Sequence, residues 1–139
     1  MIMKARFQNL GFEIDGILHL TGKQALVCLQ QGALLVDVRE DYEIALKDFG
    51  VAGKQWCPFS DFIKLLATLP KDKSLIVADC VGIHSKEAVT ELMKNGFTRV
   101  ANLAGGIFDW ERDGLPMSSD FETLGGPCMC QIKSRKKNP

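Results

Sequence analysis

The sequence predicts an α/β domain with a central parallel sheet and helices on both faces. Three observations carry this. Apolar runs of strand length recur as "ALLVDV", "LIVAD" and "RVANL". Stretches of helical character lie between them, and glycine, proline or a capping hydroxyl marks most junctions. Strands that are apolar without alternation are buried on both faces, and helical crossovers between parallel strands are what cover them.

Taken in chain order, Thr21 can cap a helix over "GKQALVCLQQ", with Gly32 as its stop. Cys28 falls among the apolar residues of that helix and reads as core filler. "ALLVDV" is the first strand, and "REDYEIALKD" is a short polar helix. "VAGKQWCPF" is read as a short extended segment ending at Pro58. Ser60 caps "DFIKLLATL", which Pro70 and a turn at "KDKS" close. "LIVAD" is the next strand. Ser85 caps "KEAVTELMKN", whose Ala88, Val89, Leu92 and Met93 form one apolar face, and Gly96 ends it. "RVANL" follows as a strand. Gly105 and Gly106 turn into a short helix over "IFDWERD", stopped by Gly114 and Pro116. The expected organisation is an N-terminal segment over residues 1–19, a domain over 20–117, and a C-terminal extension over 118–139 with a Cys-x-Cys pair and a basic end.

The 139 residues fit one domain, and a domain of that size buries roughly 70% of its unfolded surface. Apolar residues make up 46% of the chain, too many for disorder along most of it. Formal net charge is zero, so composition points to neither nucleic acid nor membrane as a partner. The zero conceals an asymmetry. "QIKSRKKNP" at the end holds four basic residues and no acid, which leaves residues 1–130 with 13 basic against 17 acidic residues; this end reads as a solvated tail. Five cysteines, several beside apolar runs, do not form a secreted disulfide framework. With no signal-like or membrane-length apolar stretch, a soluble protein of the reducing cytoplasm is expected.

"ADCVGIHSKEA" draws attention because Cys80 ends a strand and precedes a helix. Sites in open parallel sheets form beyond the carboxyl ends of strands. Free amides and the positive end of a helix dipole would favour a Cys80 thiolate over the thiol. Gly82 allows the backbone to turn tightly about the sulfur, and His84 and Lys86 could add positive charge. Asp79 would oppose them unless strand alternation turns it aside.

At these residues the chain resembles the single-domain rhodaneses, which are sulfurtransferases. "LLVDVRE" (34–40), the strand–Cys–loop–Ser–helix of 75–95, "GF" (96–97) and "NLAGGIFDWERDGLP" (102–116) carry the likeness, over roughly residues 20–117. The resemblance implies a rhodanese-like α/β fold and covalent catalysis in two half-reactions. Cys80 would take the outer sulfur of thiosulfate or a persulfide, the Val81–Ser85 amides (Val81, Gly82, Ile83, His84, Ser85) would cradle it, and cyanide or a thiol would remove it. No cofactor or metal is required. The implied partners are small sulfur donors and thiol acceptors, with a protein persulfide as a further candidate; nucleic acid and membrane are not. Asp37, Arg39, Gly105, Gly106 and Trp110 match the family's two signatures, and a structural role is expected for them.

Two departures matter. The family loop commonly reads Cys-Arg-x-Gly-x-Arg-Ser; here it is one residue shorter, with Val81 and His84 where arginines are usual. A smaller, less cationic cradle disfavours the thiosulfate dianion more than a persulfide, and it argues against the phosphatase and arsenate-reductase relatives of the fold. "LKDFGVAGKQWCPF" lacks the usual Gly-His-Ile-x-Gly-Ala, which leaves that loop's shape open. Cys128 and Cys130 are either exposed thiols or a sulfur relay for Cys80; Cys57 is core or close to the site. The alternative function is a catalytically weak or inactive binding module of the same fold.

Overall fold

The computed structural model describes residue 7 and residues 9–118. The chain runs β1 (Phe12–Ile14), β2 (Ile17–Leu20), α1 (Gly22–Gln30), β3 (Leu34–Asp37), α2 (Asp41–Ile44), β4 (Asp48–Phe49) and β5 (Lys54–Trp56). A 3-10 turn (Phe59–Asp61), α3 (Phe62–Leu65) and a second 3-10 turn (Leu66–Thr68) follow, then β6 (Leu75–Ala78), α4 (His84–Lys94), β7 (Val100–Leu103), α5 (Gly106–Arg112) and β8 (Met117–Ser118). Six strands form one sheet in the order β1-β2-β7-β6-β3-β5, parallel throughout except for the β1–β2 hairpin. β4 and β8 pair separately.

Strand alternation sorts the core into two layers. Leu35, Ile76, Ala78, Ala101 and Leu103 face α1 and α5, where Ala25, Cys28, Ile107 and Trp110 meet them. Val36, Leu75, Val77 and Val100 face the other way, onto Phe62, Leu66, Ala88, Val89 and Leu92. This is the α/β architecture read from the sequence, with helices on both faces.

Several local expectations change. Residues 12–20 belong to the sheet, so the N-terminal boundary at residue 20 cuts through it: β2 lies parallel to β7, with His19 beside Asn102. Ser60 caps no helix; its amide and hydroxyl both bond the Glu40 carboxylate, and "DFIKLLATL" splits into one helical turn between two 3-10 turns. Met93 is exposed, so the apolar face of α4 is Ala88, Val89 and Leu92. Thr21 does cap α1, through a capping box with Gln24. No described helix is long and apolar enough to cross a membrane.

Candidate active site

Cys80 lies two residues past the end of β6 and is partly exposed, whereas Cys28 and Cys57 are fully buried in the two core layers. Burial pushes both of those thiols up in pKa. Cys57 is thus core. Cys128 and Cys130 lie outside the described residues.

The backbone at Cys80 is held from behind by α5. The amides of Ile107 and Phe108 donate to the carbonyls of Asp79 and Cys80 at 2.9 and 3.0 Å. A Cβ on Gly106 would lie 2.5 Å from the Cys80 carbonyl, so only glycine lets α5 come this close. Gly105 and Gly106 both take positive φ, which makes the turn that aims those amides. Trp110 anchors the same helix: it is 1% exposed, meets Phe49 edge-on, and donates its indole N–H to Pro116 O at 2.7 Å. The second signature is therefore a support for the Cys80 loop.

The first signature supports it from the side. Arg39 is buried and forks onto the Asp37 carboxylate, with Nε at 3.0 Å from Oδ1 and Nη2 at 2.8 Å from Oδ2. Nη1 reaches Lys47 O at 2.7 Å and Glu43 O at 3.4 Å, and Nη2 reaches Asp48. One guanidinium thereby ties the end of β3 to the whole segment from α2 to β4. That segment delivers a residue the sequence reading passed over. Glu43 Oε2 accepts the Cys80 S–H at 3.1 Å, while Oε1 accepts the Glu40 amide at 2.7 Å.

The loop amides serve a different anion from the one expected. Asp79 shares strand parity with Leu75 and Val77, so its side chain points to the α4 layer and under the start of that helix. Its carboxylate accepts the amides of Gly82, His84 (2.8 Å) and Ser85 (3.3 Å), and the Ser85 hydroxyl (3.3 Å). Asp79 is thus the capping side chain of α4, which starts at His84. Ser85 is not the cap; it sits within the first turn, hydrogen-bonded also to Asn102, whose amide meets Gly82 O and His19 Nδ1. Burial, then the charge of Lys86, lowers the His19 pKa. The Val81 and Ile83 amides are left without an acceptor among the described residues.

These contacts work against the expected thiolate. Burial comes first, then the hydrogen bond to Glu43 and its charge; with Asp79 they push the Cys80 pKa up to about 12, against a smaller opposing pull from Arg39. Arg39, rather than His84 or Lys86, is the cation that acts most on it. His84 instead stacks on Phe59, with ring centroids 4.9 Å apart. Lys86 is exposed. Burial acts against the Glu43 charge, but the Glu40 amide, Cys80, Arg39 and His84 outweigh it and hold the carboxyl below its ordinary pKa. The resting site is therefore a thiol hydrogen-bonded to a carboxylate. Val81 and Ile83, both more than half exposed, give the loop an apolar rim. A separate groove of about 370 Å³ between α2 and β5, lined by Ile44, Ala45, Lys54 and Trp56 among others, includes neither Cys80 nor Glu43. Among the described residues, no cluster of three His, Cys, Asp or Glu side chains could hold a metal ion.

Comparison with known proteins follows the same lines. A family model described as the rhodanese-like domain matches residues 23–113. The chain is 34% identical over 87 residues to a sulfurtransferase of Allochromatium vinosum, spanning 63% of this chain and 79% of that protein. It is 27% identical over 107 residues to the thiosulfate sulfurtransferase GlpE of Haemophilus influenzae, spanning 74% and 96%. The solved polysulfide-sulfur transferase of Wolinella succinogenes superposes with a TM-score of 0.64 at 25% identity, spanning 74% of this chain and 79% of that one.

Proposed function

The chain belongs to the rhodanese-like domain family, and from that premise we propose that it is a rhodanese-type sulfurtransferase working through a Cys80 persulfide. The observation that carries the reading is Cys80 itself. It is the described cysteine with access to solvent, and it stands at a strand end with a proton acceptor 3.1 Å from its sulfur. In the first half-reaction Sγ bonds the outer sulfur of a donor and the donor's own sulfur–sulfur or sulfur–carrier bond breaks. In the second, a thiol or cyanide takes that sulfur and Cys80 is regenerated.

We assign the donor to the persulfide or polysulfide class. Three of the five loop amides are already satisfied by Asp79, Glu43 adds a further negative charge at the sulfur, and the loop side chains flanking it are apolar. The thiosulfate dianion finds little to bind there. A persulfide whose leaving group is a thiolate needs no such cradle, and the two unpartnered amides of Val81 and Ile83 remain for the transferred sulfur. We take the acceptor to be a thiol. A cytoplasmic setting, where small thiols are abundant, belongs to this proposal.

The second reading, a binding module of the same fold without turnover, is favoured by the raised Cys80 pKa. Intact-mass analysis after incubation with inorganic polysulfide and, separately, with thiosulfate distinguishes the two. We expect one added sulfur atom from polysulfide, far slower gain from thiosulfate, and no gain in Cys80→Ser with either. No gain by the wild type from any donor would leave the binding module, and faster gain from thiosulfate would reverse the donor assignment. Cys128→Ser with Cys130→Ser separates a relay from exposed thiols in the same assay.

A further inference from the structure

We propose that Glu43 is a catalytic residue that takes the Cys80 proton as the new sulfur–sulfur bond forms and hands it to the departing thiolate. The inference rests on the sulfur-transfer reading above and adds the path of the proton. Its basis is geometric. Glu43 Oε2 is 3.1 Å from Sγ, and the carboxylate cannot swing away cheaply: Oε1 is held by the Glu40 amide at 2.7 Å, and the Glu43 carbonyl lies under the Arg39 guanidinium.

Among the described residues, the other groups around the sulfur are already engaged. Arg39, beyond Glu43, is a cation paired with Asp37 and Asp48. Asp79, at the end of β6, is saturated by four donors. His84, on α4, faces Glu43 but is stacked on Phe59. Glu40, at the start of α2, is engaged with Ser60. The helix-start amides that would hold a free thiolate are spent on Asp79. With only the Val81 and Ile83 amides left to it, charge on the sulfur is weakly supported at rest and passes to the donor as it develops, with its proton moving to the adjoining oxygen. This is general base catalysis of a nucleophile.

The atoms balance without an oxidant. For a small persulfide the loading step is Cys80–SH plus R–S–S⁻ giving Cys80–S–S⁻ plus R–SH. The Sγ–S bond forms, the R–S–S bond breaks, its electron pair leaves on R–S, and the proton passes from Sγ through Oε2 to that sulfur. Unloading to a thiol R′–SH is the reverse: Glu43 takes the acceptor's proton and returns it to Sγ. One carboxylate serves both half-reactions.

Glu43→Gln tests this, because glutamine keeps an acceptor for the Glu40 amide and so preserves the start of α2. The readout is the rate of sulfur gain by intact mass, with cysteine persulfide as the probe, and the same melting temperature confirms folding. Loss of the Glu43 charge also eases ionisation of Cys80, so the net fall in loading at pH 7 is expected to be about tenfold. The ratio of wild-type to variant rate should shrink about tenfold per pH unit as pH rises, because the variant depends on thiolate made by solvent; the donor's own titration cancels in that ratio. A variant that loads within about twofold of the wild type, with a ratio independent of pH, would overturn the role. Loading by the wild type in D₂O needs no variant: a slower rate marks the proton in flight, and an equal or faster rate would contradict it. Absence of any sulfur gain in the wild type would instead remove the sulfur-transfer reading on which the role stands.

Discussion

Replacing Arg39 with methionine is expected to cost about 3–5 kcal/mol of folding free energy. The Asp37 carboxylate beneath it is 3% exposed and takes three of its contacts from this one guanidinium. Removing the cation leaves a buried charge unpaired, which costs far more than the pair contributes when intact. The carbonyls of Glu43 and Lys47 lose their donor at the same time. Sulfur loading should therefore fall along with stability, since the segment that sets Glu43 against Cys80 is released. A urea titration reads the first effect and intact mass the second. Adding Asp37→Leu to Arg39→Met should recover most of the stability, because an apolar pair of similar volume removes the orphaned charge. A single variant within about 1 kcal/mol of wild type would show that the pair does not anchor the site.

Asp79→Ala should cost roughly 2–4 kcal/mol and make the protein responsive to anions. Three loop amides lose their acceptor, while the Ser85 hydroxyl keeps Asn102. Amides gathered at a helix start form an anion site once the internal carboxylate is gone. Sulfate should accordingly raise the melting temperature of Asp79→Ala well beyond any effect on the wild type. Equal responses of the two proteins would mean that Asp79 does not occupy the anion position of the loop.

Much of this architecture is legible in the sequence, and for a physical reason. Strands buried on both faces must be apolar throughout, so Leu34–Asp37, Leu75–Ala78 and Val100–Leu103 announce themselves; of the helices between and around them, α1 starts at its Thr21 cap as read, whereas Ser60 and Ser85 cap neither α3 nor α4. The position of Cys80 at a strand end follows from the same pattern. The β1–β2 hairpin escaped because Phe12, Glu13 and Ile14 are exposed and show no buried run. A signal was present nonetheless. Asp15 and Gly16 both take positive φ between the strands, and Asp-Gly between apolar residues is a strong mark of a two-residue hairpin turn.

The electrostatics of the site were not legible. The sequence reading allowed that alternation turns Asp79 aside, which it does, but the same turn carries its carboxylate beneath α4 and onto the amides reserved for the sulfur. Which anion a helix start serves is a question of register, and only coordinates answer it. Glu43 is six residues after Asp37 on a polar helix and reads as a solvated charge; its contact with Cys80, 37 residues away in sequence, leaves no local mark, and Arg39 folds the α2–β4 segment back to make it. The His19–Asn102–Ser85 chain was missed for the same reason, since His19 becomes a neighbour of Asn102 only through the β2–β7 pairing.

The central claim is that Cys80 rests as a thiol whose proton is held by a carboxylate, so that the site is not a preformed thiolate. An ultraviolet titration of thiolate absorbance, taken as the difference between the wild type and Cys80→Ser, tests it directly. The account predicts no contribution from Cys80 at neutral pH and a rise only above the ordinary thiol value of 9.0, toward a midpoint of about 12. A full Cys80 thiolate signal already present at neutral pH would contradict it.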